Sequence, residues 1–343
     1  MTSLVEEPPV KRSREAGLLE LRELTVDYGF GEKRARAVDG VDLTIHEGEV
    51  LGLAGESGCG KTTIANAVMQ ILRPPARITG GSIVFAGENI LGRSKEELRR
   101  FRWRNVSMVL QSAMNALNPV MRIGDQFMDA MRAHEKIDRR RALSRTGELL
   151  ELVGIDRQRA RSYPHQLSGG MRQRGVIAMA LALEPELVIL DEPTTALDVV
   201  VQREILQQVE ALKRDFGFAV LFITHDLSLL LEFADRIAIM YAGEIVESAP
   251  AERLAVNPQH PYTHGLLKSF PPLRGPLSPL MGIPGSPPDL RDPPSGCRFH
   301  PRCPHCLPAE QTLYRRQITE RPRLRTIETD HEVACHLVED AVQ

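Results

Sequence analysis

The stretch Leu51-Gly52-Leu53-Ala54-Gly55-Glu56-Ser57-Gly58-Cys59-Gly60-Lys61-Thr62-Thr63 joins an apolar run to a segment, Ile64 to Leu72, with a helical pattern. Four residues separate Gly55 from the Gly60-Lys61-Thr62 triplet, the spacing of a phosphate loop between strand and helix. Glycines at 55, 58 and 60 let backbone N–H groups turn inward as an anion nest, and the helix start adds partial positive charge. Lys61 is placed to reach the β- and γ-phosphates of a nucleoside triphosphate, and the Thr62 hydroxyl to hold Mg²⁺. Ser57 and Thr63 complete the loop, while Cys59 fills a position that wants a small residue.

Three further strand ends carry groups that suit phosphoanhydride hydrolysis. Leu187-Val188-Ile189-Leu190 reads as a buried parallel strand that delivers Asp191 and Glu192 at its C-terminal edge. Asp191 suits Mg²⁺, directly or through water, opposite Thr62; Glu192 suits orienting and polarising the attacking water. Gln111 follows the short apolar strand Val106 to Leu110 and can reach the metal and that water through its amide. His225 follows Ala219 to Thr224 and can hydrogen-bond a γ-phosphate and sense its loss. Any one of these could be a satisfied core polar residue, but four strand ends around one phosphate site argue for chemistry. Tyr28 ends the first strand, where it is either an adenine-stacking ring or an ordinary strand aromatic.

These groups need a scaffold, and the patterning supplies an α/β one. Leu18 to Tyr28 and Ala37 to Ile45 alternate as an antiparallel entry, and Ile237 to Tyr241 with Glu244 to Glu247 are expected to finish the main sheet. Residues 112–165 read as a helical insertion, with Gly154 ending a helix that holds Leu149, Leu150, Leu152 and Val153. The arginines within Glu88 to Arg104 are expected on a solvated helical face. Ser168 is suited to cap a helix that starts at Gly169 and Gly170, and Val200 to Arg214 turns Ile205, Val209 and Leu212 inward. Residues 1–17 read as disordered, 18–256 as the nucleotide-binding domain, and 257–343 as a Pro-rich linker with a cysteine-containing extension.

Composition narrows the function class. The 343 residues hold 43 Lys plus Arg against 45 Asp plus Glu, so no excess of positive charge marks a dedicated nucleic-acid binder. No secretory leader is visible, and charges interrupt every long apolar stretch before the ~20 residues that a spanning helix needs. The expected location is therefore the cytoplasm, with any membrane association made through a partner. Four of the five cysteines lie in the tail as Cys297, Cys303, Cys306 and Cys335, a grouping that suggests a metal site more than disulfides in a reducing compartment.

The phosphate loop, Gln111, Leu167 to Met171, Leu187 to Glu192, Ala196-Leu197-Asp198 and His225 resemble, in order and spacing, the ATPase subunit of ABC transporters. The resemblance implies a P-loop cassette with an antiparallel β subdomain, in which two cassettes face head to tail. Ser168, Gly169 and Gly170 would then close over ATP bound at the partner's phosphate loop, and Asp198 would lie beside that shared site. Physically, the helix start at Ser168 offers free N–H groups and positive dipole to a γ-phosphate. The runs Ser112 through Asn118-Pro119, Tyr163-Pro164-His165-Gln166 into Arg174, Pro193 to Val199, Ile283-Pro284-Gly285, Pro294 to Cys297 and Phe299-His300-Pro301-Arg302-Cys303 are similar to the D-type subunit of oligopeptide and dipeptide importers.

That resemblance implies ATP-driven peptide uptake by a peripheral subunit at the cytoplasmic membrane face. Its implied partners are a different F-type cassette in a heterodimer, two transmembrane permease subunits and an extracytoplasmic solute-binding protein. Nickel or glutathione import shares the same ATPase role. It also implies a 4Fe-4S cluster on the four tail cysteines. Cys306 stands closer to Cys303 than the family's third cysteine does, so zinc, with His300, His305, His331 and His336 at hand, and plain reduced thiols stay open. A DNA-repair or chromosome-organising ATPase fits poorly, since only about a hundred residues without sustained heptads separate Lys61 from Ser168. A soluble translation-type ATPase would carry two cassettes, and this chain has one phosphate loop.

Overall fold

The computed structural model describes residues 17–31, 34–111, 116–194, 198–269, 282–306 and 310–339. The expected disorder of the N-terminus, residues 112–115 and 195–197 of the quoted motifs, and the first part of the Pro-rich stretch lie outside the described residues.

The chain enters through β1 (Leu19–Tyr28) and β2 (Ala35–Ile45), then β3 (Val50–Ala54) leads into α1 (Lys61–Val68). β4 (Ala76–Phe85) and β5 (Glu88–Asn89) precede α2 (Lys95–Arg104) and β6 (Val106–Val109). Two helices, α3 (Ile123–Arg132) and α4 (Arg139–Leu152), with 3-10 turns at Arg157–Arg161 and Pro164–Gln166, form the helical insertion before α5 (Gly169–Ala180). The chain then alternates through β7 (Leu187–Asp191), α6 (Val199–Phe216), β8 (Ala219–Thr224), α7 (Leu227–Phe233), β9 (Arg236–Tyr241) and β10 (Glu244–Pro250). The tail adds α8 (Ala251–Val256), α9 (Pro261–Lys268), α10 (Gln311–Thr319), β11 (Arg325–Glu328), β12 (His331–Val333) and α11 (His336–Glu339). Among the described residues, no helix is long and apolar enough to cross a membrane.

Two sheets result. The antiparallel one has the order β2-β1-β4-β5, and the mixed one β11-β12-β10-β9-β3-β8-β7-β6, parallel from β9 to β6. The central strands β3, β7 and β8 are buried along their whole length, as their unbroken apolar runs require. Their side chains alternate between two cores. Val188, Leu190, Val220 and Phe222 face the core shared with the helical insertion and α6, whereas Leu187, Ile189, Leu221 and Ile223 face that of α1 and the antiparallel sheet. This sandwiching aligns the C-terminal ends of β3, β6, β7 and β8, the crevice where an open α/β sheet binds ligands.

Two expectations change. Glu244 to Glu247 does not finish the sheet, because β12 pairs antiparallel with β10 through Glu247 and Val333 and through Ser248 and Glu332. The tail is thus integral to the cassette's sheet. Nor are all the α2 arginines solvated: Arg102 donates through Nε to Met69 O at 2.9 Å and through Nη2 to Gln70 O at 2.6 Å, satisfying carbonyls at the end of α1. Gly154 follows α4 in the left-handed region (φ 68°), as its position after the last turn predicts.

Candidate functional site

Sterics demand the phosphate-loop glycines. A Cβ on Gly55 (φ 153°) would lie 2.1 Å from the Met240 carbonyl oxygen, and one on Gly60 (φ 117°) 2.2 Å from that of Ala37. The loop is therefore pressed against β9 and β2. Lys61 is buried and donates from Nζ to Gly55 O at 2.7 Å and to Glu56 O at 3.1 Å, so the ammonium draws the loop around itself. Cys59 is buried with its sulfur 3.7 Å from Nζ, and burial raises its thiol. Ser57 and Gly58 are exposed on the loop's outer surface. Thr63 meets the Tyr28 hydroxyl at 3.3 Å, so Tyr28 does stand at the phosphate-loop helix.

Asp191 ends β7 fully buried, and Thr62 Oγ1 donates to its Oδ1 at 3.2 Å. Burial raises the Asp191 carboxyl; the Thr62 hydrogen bond opposes this, the Glu192 charge adds to it and the Lys61 charge opposes it. A buried carboxylate beside a hydroxyl is an all-oxygen donor pair with one negative charge to neutralise, and it fits Mg²⁺. Next to it, the backbone turns sharply at Glu192 (φ 47°), whose N–H donates to Ile223 O at 2.9 Å. That strained turn points the carboxylate away from the strand. Gln111 Nε2 donates to Glu192 Oε2 at 2.8 Å, and His225 Nδ1 lies 3.3 Å from Glu192 Oε1. Two sequence-predicted residues, Gln111 and His225, thus converge on the carboxylate of a third, Glu192. Such a cluster can hold a water, take its proton and report the state of a phosphate to two strand ends.

The remaining predicted residues sit elsewhere on the surface. Ser168 caps α5 by accepting from Met171 N–H at 3.3 Å and is exposed, with Gly169 and Gly170 in the helix's first turn. Asp198 caps α6, accepting from Val200 and Val201 N–H at 3.1 and 3.0 Å. A Cβ on Gly170 would approach Val201 to 3.1 Å, so the two helix starts lie side by side. Both caps, Ser168 and Asp198, are exposed.

Burial raises all four tail thiols, Cys297 and Cys335 to about 12, and Cys297 also responds to Cys335 and Cys303. Among the described residues, however, no three His, Cys, Asp or Glu side chains gather closely enough to hold a metal ion, so the expected four-thiolate centre is not assembled. Three of the four imidazoles offered to zinc are engaged elsewhere: His300 Nδ1 is 2.9 Å from Cys297 O, His331 Nε2 2.9 Å from Glu247 Oε1, and His336 Nε2 2.8 Å from Glu320 O.

Sequence reasoning missed what lies under the loop. The Glu56 N–H donates to the Tyr262 hydroxyl at 2.9 Å, and the Glu56 carboxylate takes both terminal nitrogens of Arg302, at 2.6 and 2.9 Å. The His-Pro-Arg-Cys run was the available signal, but its arginine carries no periodicity that predicts a partner 246 residues away.

The sequence matches the ABC transporter family over residues 38–195, and the oligopeptide/dipeptide transporter C-terminal region over residues 246–309. It is 42% identical over 322 residues to a probable peptide ABC transporter ATP-binding protein of Sinorhizobium fredii, spanning 93% of this chain and 94% of that one. It is 38% identical over 325 residues to a dipeptide transport ATP-binding protein of Caldanaerobacter subterraneus, spanning 94% of this chain and 98% of that one. Among solved structures, it resembles a dimeric post-hydrolysis ATP-binding cassette bound to ADP and Pi, with TM-score 0.59 and 29% identity over 68% of this chain and 98% of that one. A Clostridium perfringens cassette, part of an ABC transporter complex, matches with TM-score 0.62 and 26% identity over 71% of this chain and 92% of that one.

Proposed function

The chain belongs to the ABC transporter ATP-binding family, in the branch that carries the oligopeptide/dipeptide-type C-terminal region, and from that premise we propose that it is the D-type ATPase of a peptide importer. The observation that carries the catalytic half is the Gln111, Glu192 and His225 cluster beside Lys61, Thr62 and Asp191. ATP lies along the phosphate loop with its adenine on Tyr28. Thr62 and Asp191 would hold Mg²⁺, which would supply positive charge to neutralise the phosphates. Gln111 orients Glu192, and Glu192 accepts the proton of the water that attacks the γ-phosphorus as the bond to the β–γ bridging oxygen breaks. His225 hydrogen-bonds the γ-phosphate and senses its loss, and its contact with Glu192 ties that signal to the general base.

The exposed helix starts at Ser168 and Asp198 support a shared site, completed by a second, F-type cassette. Two membrane-spanning permease subunits and an extracytoplasmic solute-binding protein complete the importer, with this chain on the cytoplasmic membrane face. The relatives' names support peptide as cargo.

The 4Fe-4S cluster expected on Cys297, Cys303, Cys306 and Cys335 is not assembled in this structure, whose described thiols do not gather around a metal ion. Metal analysis of anaerobically purified protein decides it: iron with sulfide supports the cluster, zinc alone replaces it, and neither leaves reduced thiols.

The central test is transport. Vesicles holding the copurified complex should take up a labelled tripeptide when given ATP, and Glu192→Gln should stop it. Uptake of nickel or glutathione instead would replace the cargo, and copurification with ribosomes would overturn the importer reading.

A further inference from the structure

Glu56, the second residue of the phosphate loop, is pinned at three points. Its N–H goes to the Tyr262 hydroxyl at 2.9 Å, its carbonyl accepts from Lys61 at 3.1 Å, and its carboxylate receives a two-pronged guanidinium from Arg302. Arg302 belongs to the tail and is itself fixed. Its Nε donates to Pro284 O at 2.8 Å, its Nη1 contacts the Tyr241 hydroxyl at 3.3 Å, and its side chain is 5% exposed. Beneath this pair, Tyr241, Tyr262 and Phe299 pack with ring centroids 4.6 to 5.4 Å apart, bringing β9, α9 and the tail together under the loop.

We propose that Arg302 is a positioning residue for the nucleotide site: the tail clasps Glu56, holds the first turn of the phosphate loop in its ATP-ready shape and cancels a negative charge that would otherwise face the incoming phosphates. The inference rests on the ATPase reading and goes beyond it by making the C-terminal extension part of the nucleotide site's support. The charge argument is direct. The loop is built to receive an anion, yet Glu56 puts a carboxylate on it, only 25% exposed; a guanidinium in bidentate contact neutralises it. The geometric argument is preorganisation. A loop already held by Arg302 and Tyr262 spends less ordering entropy when ATP binds. Coupling of this kind is reciprocal, so nucleotide must in turn steady the tail around Arg302.

The test measures binding of fluorescently labelled ADP with Mg²⁺ to the full chain. Arg302→Ala should raise the dissociation constant about tenfold, and raise KM for ATP while leaving kcat at saturating ATP close to wild type. Arg302→Lys keeps charge but not the planar fork, so its loss should be about threefold. Introducing Glu56→Gln into Arg302→Ala removes the uncompensated charge and should recover part of the affinity. Hydrogen exchange of the backbone from 299 to 303 should slow on adding Mg-ADP in the wild type and not in Arg302→Ala. A folded Arg302→Ala or Arg302→Lys chain with a lower melting temperature but wild-type nucleotide affinity would reduce the pair to tail stability and overturn the proposal. Should Arg302→Ala not fold, Arg302→Lys carries the same test. A wild-type chain that binds no nucleotide overturns the ATPase reading and this inference together, whereas equal binding by wild type and variants overturns this inference alone.

Discussion

Gln111 donates its side-chain amide to Glu192 at 2.8 Å, joining the ends of two neighbouring parallel strands across 81 positions of sequence. The carboxylate of Glu192 therefore cannot move without disturbing Gln111, and through the 3.3 Å contact it also answers to His225. Under the proposed mechanism, chemistry and its communication are tied to one side chain.

Glu192→Gln keeps the size and hydrogen-bonding reach of the side chain but removes its basicity. Steady-state ATP hydrolysis should fall at least about a hundredfold, with the ATP dissociation constant changed by less than about twofold. Hydrolysis at the wild-type rate would remove Glu192 from the role of general base.

Gly60→Ala places a methyl group 2.2 Å from the Ala37 carbonyl oxygen at φ 117°. The loop must deform or β2 must shift, at a cost of about 1–3 kcal/mol. Nucleotide binding should be lost and the melting temperature should drop. Gly58→Ala meets open space and suffers only the backbone penalty at φ 81°, so it should be the milder of the two.

Ser168→Arg puts a bulky cation at an exposed helix start that the shared-site reading assigns to the partner's ATP. This chain's own nucleotide binding should be unchanged while hydrolysis by the assembled complex drops at least about tenfold. Equal loss of this chain's binding would show that Ser168 serves its own phosphate loop, and full activity would remove it from the site.

His260 lies buried at the start of α9, where its Nδ1 accepts from Tyr262 N–H at 3.0 Å, and burial lowers its imidazole to about 4. The unfolded chain protonates this group near 6.5 and the folded one only near 4. Native stability therefore falls as pH drops from about 6.5 to about 4, by roughly 3 kcal/mol from this residue. His260→Asn keeps an acceptor for Tyr262 but cannot titrate. Denaturant melts of wild type and variant should differ most steeply across that pH window; parallel profiles would show that His260 does not set the slope.

The phosphate loop, the acid-ended strand and the Ser168 cap were legible because each is local: a glycine pattern, an apolar run, a Ser before a helix. Even the convergence of Gln111, Asp191, Glu192 and His225 followed from one rule, that parallel strands present their C-terminal ends at a common edge. Arg102 was read as solvated because an arginine in a basic run looks the same whether it faces water or the carbonyls of Met69 and Gln70.

What the amino-acid order determined by itself was the make-up of the phosphate loop and of the strand ends beside it, since each is set by residues a few positions apart whose backbone geometry is dictated nearby. Only the tertiary structure decided how the tail joins the cassette. β12 takes the edge of β10, Arg298 and Arg321 meet Asp39, and Arg302 meets Glu56. Strand register and ion pairing between distant segments follow from where packing brings the backbones, and neither a short edge strand nor a charged side chain names its partner in advance.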